Sequence, residues 1–177
     1  MKVVIYILLA IILVFMVLLI IGLCLPKTRI LTKETIFCAS VEEVYSVVVN
    51  NHDWKWRTSI DDLIILETDD NFEMWEEISG GITIRFKTKE RKPYSFYSFE
   101  MESKLFTGYW QAEFETVKNA GTRFIATEFI EYKNPLIRVL AFIFMNLDKY
   151  METYKNDLRK KLSPNQVDNK DCITFKK

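Results

Sequence analysis

From Asp62 to Tyr132 the chain repeats one pattern six times: a run of β-prone residues, then a short break rich in turn residues. The runs are 62–68, 71–79, 82–91, 94–103, 108–117 and 122–132. Their breaks hold Asp69-Asp70, Ser79-Gly80-Gly81, Lys92-Pro93 and Lys118-Asn119-Ala120-Gly121. Two runs alternate cleanly: Ile82, Ile84 and Phe86 against Thr83, Arg85 and Lys87, and Trp110, Ala112 and Phe114 against Gln111, Glu113 and Glu115. A period of two sends alternate side chains to opposite faces, so each run is a half-buried strand. Breaks this short join antiparallel neighbours, because a parallel return needs a crossover of about a dozen residues. The segment therefore folds as an antiparallel sheet with one wet face and one face that must be covered.

The flanks supply the cover. Residues 28–38 read as a first strand, and Ser40-Val41-Glu42-Glu43 as a capping box opening a helix through Val44, Tyr45 and Val48 to about Asn50. Asn51–Ile60 follows as a short irregular or helical piece carrying Trp54, Trp56 and Arg57. After the last strand, Asn134 can cap a helix with Pro135 at its first position. Leu136, Leu140, Ile143, Leu147, Met151, Tyr154, Leu158 and Leu162 then recur at steps of three and four without Gly or Pro between them. That predicts one unbroken helix over 134–162, about 40 Å long at 1.5 Å per residue. The order is strand, two helical pieces, six strands and a long helix: an α+β domain with seven strands and the helices gathered on one face. Ser163–Lys177, with Pro164, Asn165 and Asn169, reads as a loosely ordered tail.

Val3–Leu25 is uncharged over 23 residues. It would extend roughly 35 Å as a helix, against about 30 Å of bilayer hydrocarbon, so it reads as a transmembrane anchor. A cleaved signal peptide is the rival, but its apolar core is shorter and ends in a small-x-small site. A lipoprotein at Cys24 would need a small residue where Leu23 stands. The expected division is residues 1–26 as anchor, 27–162 as folded domain and 163–177 as tail. Lys27, Arg29 and Lys33 outnumber Lys2 and the amino terminus, which leans the domain towards the cytoplasm. Lys plus Arg and Asp plus Glu balance at 24 each, so no overall basic field points to nucleic acid. Cys24, Cys38 and Cys172 form no CxxC pair and read as ordinary thiols, Cys38 as a small buried apolar residue. With His52 the only histidine, neither a His-based metal site nor a His-containing triad is complete, and no metal or cofactor is expected.

The order of elements and several local motifs resemble the SRPBCC (START-like, polyketide cyclase/dehydrase) superfamily and its helix-grip fold. The matching stretches are Ala39-Ser40-Val41-Glu42-Glu43-Val44-Tyr45, Trp54 with Trp56-Arg57, and Trp75-Glu76. They continue with Phe106-Thr107-Gly108-Tyr109-Trp110, Gly121-Thr122, Thr127-Glu128 and Asn134-Pro135-Leu136-Ile137-Arg138. The resemblance covers about Thr28–Leu162 and implies an internal apolar cavity between a curved sheet and the long helix. It does not imply one activity, since the superfamily holds lipid carriers, sterol binders, hormone receptors and cyclases. The amino-terminal apolar helix lies outside its core pattern.

Unbroken alternation would put Phe72, Met74, Ile78, Ile84, Phe86, Trp110, Ala112, Phe114, Phe124, Ala126 and Ile130 on the inner face. Such a list suits a solid core, and equally a cavity wall. The same register turns Glu76 and Glu128 inward, where a carboxylate must be paired, hydrogen-bonded or protonated. Arg57 and Arg138 are the candidate partners. Either carboxylate could hold a ligand head group or act as an acid/base, and a structural ion pair is the plain alternative. The candidate cavity residues are Trp54, Arg57, Met74, Ile84, Phe86, Trp110, Phe114, Phe124, Ala126, Glu128, Leu140, Ile143 and Leu147, with Glu76 and Glu128 as the catalytic candidates. Trp54, Trp56 and Trp75 fit packing under the first helix better than a pocket mouth. Val139–Met145 is apolar nearly all round, so Phe142 and Met145 need a second partner: the first helix, the bilayer or another chain. Arg159-Lys160-Lys161 reads as a solvated face, or a patch for anionic lipid. The leading expectation is a membrane-anchored binder of a hydrophobic small molecule or lipid. The alternatives are a cyclase- or dehydratase-like enzyme and a filled-core interaction module.

Overall fold

The computed structural model describes residues 2–69, 72–118 and 121–163. The elements run α1 (Lys2–Cys24), β1 (Thr28–Phe37), α2 (Val41–Val49), β2 (Asp62–Thr68), β3 (Glu73–Ser79), β4 (Ile82–Lys92), β5 (Phe96–Glu102), β6 (Phe106–Val117), β7 (Gly121–Tyr132), α3 (Pro135–Phe144) and α4 (Leu147–Leu162). A short 3-10 turn, Asn51–Asp53, follows α2. The seven strands form one antiparallel sheet in the order β1-β7-β6-β5-β4-β3-β2. Five of the six links are direct returns; the exception is the connection through α2 that carries the chain from one sheet edge to the other. This is the helix-grip arrangement expected from the sequence. The proposed tail beyond Ser163, and parts of the turns at Asp70 and at Asn119-Ala120, lie outside the described residues.

Local chemistry sets most boundaries. Ser40 Oγ accepts the Glu43 N–H at 3.2 Å and starts α2. Gly80 and Gly81 both take positive φ, 55° and 76°, as the tight β3–β4 hairpin requires. On the wet face, Glu34 and Glu115 pair with Arg123 and Glu76 pairs with Arg85. Val44, Val48, Leu147, Met151 and Leu158 press from the helices onto an inner face rich in aromatic rings.

The C-terminal helix departs from expectation. It is two helices, with Met145 leaving helical geometry at φ −95°, ψ 106° and Asn146 capping α4 through its side chain and the Lys149 N–H. No proline or glycine causes this. Asn146 offers the backbone a local alternative to the helix, and Arg29 donates to the Met145 carbonyl at 3.1 Å and, at 3.4 Å, to the Ala141 carbonyl that already accepts the Met145 N–H. The two pieces then serve different surfaces. The α4 helix lies on the sheet, whereas α3 packs on α1.

That second packing is close. A Cβ added at Gly22 would stand 2.2 Å from the Pro135 carbonyl oxygen, so only glycine allows the approach. Arg138, 5% exposed, donates from Nη1 to the carbonyls of Gly22 and Leu25 at 2.7 and 3.1 Å. Its guanidinium thereby satisfies orphan carbonyls at the negative end of the α1 dipole. Arg138 was a candidate partner for an inward carboxylate; it caps α1 instead.

Cys38, expected to be buried, is half-buried just after β1.

Candidate functional site

Between the sheet and α4 lies a cavity of about 460 Å³. Its floor comes from alternate residues of the central strands: Ile84 and Phe86 of β4, Phe99 and Met101 of β5, Trp110 of β6, and Phe124, Ala126, Glu128 and Ile130 of β7. Its roof is Leu147, Tyr150, Met151 and Tyr154 of α4. Arg57 and Glu77 stand at one side, and Phe144, Met145 and Asn146 at the rim where α3 gives way to α4. The wall is stiffened by stacked rings. Phe99 lies over Trp110 at 4.9 Å and 9°, and Trp75 over Phe86 at 5.2 Å and 7°.

Eight of the thirteen cavity residues named from the sequence line this space: Arg57, Ile84, Phe86, Trp110, Phe124, Ala126, Glu128 and Leu147. Five do not. Leu140 and Ile143 are 52% and 62% exposed, because the break at Met145-Asn146 turns α3 away from the sheet. Phe114 is buried but sits past the cavity's end, edge-on to Tyr45 at 5.2 Å. Trp54 is half-buried in the segment after α2, away from the cavity. Met74 misses because β3 runs one residue out of the expected register.

That register shift is the main correction to the polar groups. Glu73, Trp75 and Glu77 face inward, while Met74, Glu76 and Ile78 alternate outward. The strand buries its tryptophan, 1% exposed, and neutralises both flanking carboxylates with partners. Glu73 accepts from Asn51 at 2.5 Å and from Arg91 at 3.4 Å. Glu77 accepts from Arg57 at 2.7 Å and from Trp75 Nε1 at 2.9 Å. Glu76 is thus a surface residue paired with Arg85 at 2.7 Å, and its catalytic candidacy ends there.

Glu128 keeps the inward position expected of it. It is 6% exposed, and Arg57 and Arg138 are both engaged elsewhere. Desolvation by the apolar wall pushes its carboxyl up to about 7. It therefore changes protonation state around neutrality, and in its protonated form can donate one hydrogen bond and accept others. Two phenols share the roof. Burial raises Tyr154, with Arg57 lowering it and Glu77 raising it more weakly. Tyr150 keeps 39% of its surface accessible at the rim, yet is packed deeply enough that burial, then the Glu77 and Glu128 carboxyls, raise its phenol. Both stay protonated donors at neutral pH.

Glu77 and Tyr150 are among the polar wall residues that sequence reasoning missed, with Tyr154, Lys33, Lys149 and Lys155. Glu77 lies two positions from Trp75 and Tyr150 three from Leu147, so each shares a face with a large apolar residue once the register is known. Among the described residues, no group of three or more His, Cys, Asp or Glu side chains gathers as a metal site would require.

No family model and no curated protein matches this sequence. Solved structures do match. The di-domain ARO/CYC StfQ from the steffimycin biosynthetic pathway aligns with TM-score 0.66 at 11% identity, over 78% of this chain and 52% of that one. The chain therefore spans about half the length of that di-domain protein and of the similar BexL, also 52% covered. The Zhui aromatase/cyclase from Streptomyces sp. R1128 aligns with TM-score 0.66 at 10% identity, over 79% of this chain and 99% of that one. A START superfamily protein from Mycobacterium smegmatis gives 0.59 at 15%, over 77% and 99%. Identities this low speak to the fold alone. Residues 28–162 share the helix-grip fold of these aromatase/cyclase and START superfamily structures, joined to an N-terminal helix long and apolar enough to cross a membrane.

Proposed function

We propose that this protein is a membrane-anchored binder of a hydrophobic small molecule or lipid, held between the sheet and α4. The observation that carries the reading is the cavity: about 460 Å³, within the usual range for small-molecule pockets, with an apolar floor of strand side chains and a polar margin that includes Lys33, Lys149 and Lys155. Burial of apolar ligand surface would drive entry, at about 0.8 kcal/mol per CH₂ removed from water. Protonated Glu128 and the Tyr150 and Tyr154 hydroxyls would orient one oxygen-bearing end of the ligand, which favours a hydroxyl, carbonyl or ester over a bare hydrocarbon. The cyclase and START-like structural neighbours support a cavity-bearing reading of this fold. The apolar α1 would hold the cavity beside the bilayer, where such ligands concentrate. The charge lean of Lys27, Arg29 and Lys33 favours a cytoplasmic domain, and protease protection in sealed vesicles tests that orientation.

Organic extraction of the purified full-length protein, followed by mass spectrometry, tests the binding reading. A stoichiometric apolar compound with an oxygen-bearing end supports it. Extracts that hold only the detergent, whatever the expression host, contradict it. A second reading follows from the same carboxyl. An acid titrating near 7 against an apolar wall suits general-acid catalysis of a cyclisation or dehydration. Under that reading a bound compound leaves the wild-type protein chemically altered and leaves a Glu128→Gln variant unaltered.

A further inference from the structure

Within the folded domain, α3 carries an apolar surface that none of the described residues covers. Leu140, Phe142, Ile143 and Phe144 are 52%, 61%, 62% and 78% exposed. At 100° per residue they spread over about 200° of the helix's circumference. A rigid partner meets a helix from one side; a fluid apolar medium meets it from every open side. The only charged residue of α3 is Arg138, and it is buried on the α1 carbonyls. Nothing polar on the exposed part of the helix would resist transfer out of water.

What lies next to α3 identifies the medium. Its covered side packs against α1, at the glycine contact between Gly22 and Pro135 and through the Arg138 cap. In α1 the residues before this contact are exposed without interruption from Lys2 to Leu18. The α3 surface is therefore continuous with the span's own apolar surface. We infer that α3 is an interfacial membrane helix, seated in the lipid beside the C-terminal end of α1 and locked to it by Gly22 and Arg138. This rests on the reading of α1 as a bilayer anchor. The bilayer, rather than a second copy of the chain, is the occupant because the exposed arc is wide and runs on into the span. Phe144 and Met145 also border the cavity, so the seated helix places the cavity rim at the membrane surface.

Nitroxide labels provide the test. Full-length protein carrying Cys24→Ser is labelled singly at Phe142→Cys, Ile143→Cys, Val14→Cys in α1, or Thr83→Cys on the wet side of β4, and reconstituted in phosphatidylcholine vesicles. Collision with oxygen and with a water-soluble nickel chelate then reports depth. The inference expects oxygen to dominate at 142, 143 and 14, and nickel at 83. Nickel dominating at 142 and 143 while 14 stays in lipid overturns it and leaves the anchor standing. Nickel dominating at 14 as well overturns both. Strong dipolar broadening between labels at 142, abolished by dilution with unlabelled protein, would identify a second copy as the occupant and also overturn it.

Discussion

Glu128→Gln is the substitution with the clearest signed consequence. The wild-type carboxyl is raised from 4.5 to about 7 by desolvation. In the unfolded chain it titrates near its ordinary value; in the folded chain it holds its proton until near neutrality. Between those two values the folded state binds more protons than the unfolded state, so stability falls as pH rises. The contribution is complete below about pH 4.5, and its loss is nearly finished above about pH 7. A displacement of this size corresponds to about 3 kcal/mol. Glutamine keeps the shape and much of the hydrogen-bonding capacity but does not titrate. The variant should match wild type at pH 4.5, and exceed it at pH 8 by up to about 3 kcal/mol, or roughly 6–12 °C in Tm for a domain of this size. Thermal melts in one non-ionic detergent, followed by near-ultraviolet circular dichroism, measure this. The same Tm difference at both pH values would refute the reasoning, as would a Glu128 carboxyl titrating near 4.5 by carbon NMR.

The wall and the helix contacts give further expectations. Arg57→Met strands the Glu77 carboxylate, 5% exposed at its side chain, and should cost about 3–5 kcal/mol in urea melts, with Arg57→Met/Glu77→Gln recovering most of it. Asn146→Ala removes the α4 cap and should cost about 1 kcal/mol in the same assay; no change would mean that the break between α3 and α4 does not depend on that side chain. Gly22→Ala forces α1 and α3 apart and should cost about 1–3 kcal/mol. Its signature is faster trypsin cleavage after Lys27 while the rest of the domain stays protected, and cleavage at the wild-type rate would refute the close contact.

The strand pattern carried the fold because the alternation and turn residues from Ile82 to Tyr132 are strong local signals, and the sheet order follows from them. Six of the eight cavity residues were legible for the same reason: once β4, β6 and β7 alternate, Ile84, Phe86, Trp110, Phe124, Ala126 and Glu128 must share a face. Two physical effects hid the rest. In β3 either register leaves glutamates facing inward, and the choice between them depended on Asn51, Arg91 and Arg57, which arrive from elsewhere in the chain. In the C-terminal helix the periodicity continued through the break, since Leu140, Ile143 and Leu147 fit one stripe although they serve two surfaces. Asn146 followed by Leu147-Asp148 was the available signal: a capping residue with an acid in the first turn that follows. The roles of Arg29 and Arg138 as helix caps were not readable, because each reaches carbonyls more than a hundred residues away.

The central claim is that the space between the sheet and α4 holds an apolar ligand. Native mass spectrometry of the full-length protein, wild type against Ile84→Trp, tests it most directly. The indole would fill part of the cavity from β4. The account predicts a one-to-one small-molecule adduct on the wild type that is lost from Ile84→Trp while the melting temperature holds. Adducts retained equally by both proteins would place them on the apolar helices, and their absence from both would leave the cavity without a ligand; either result contradicts the claim.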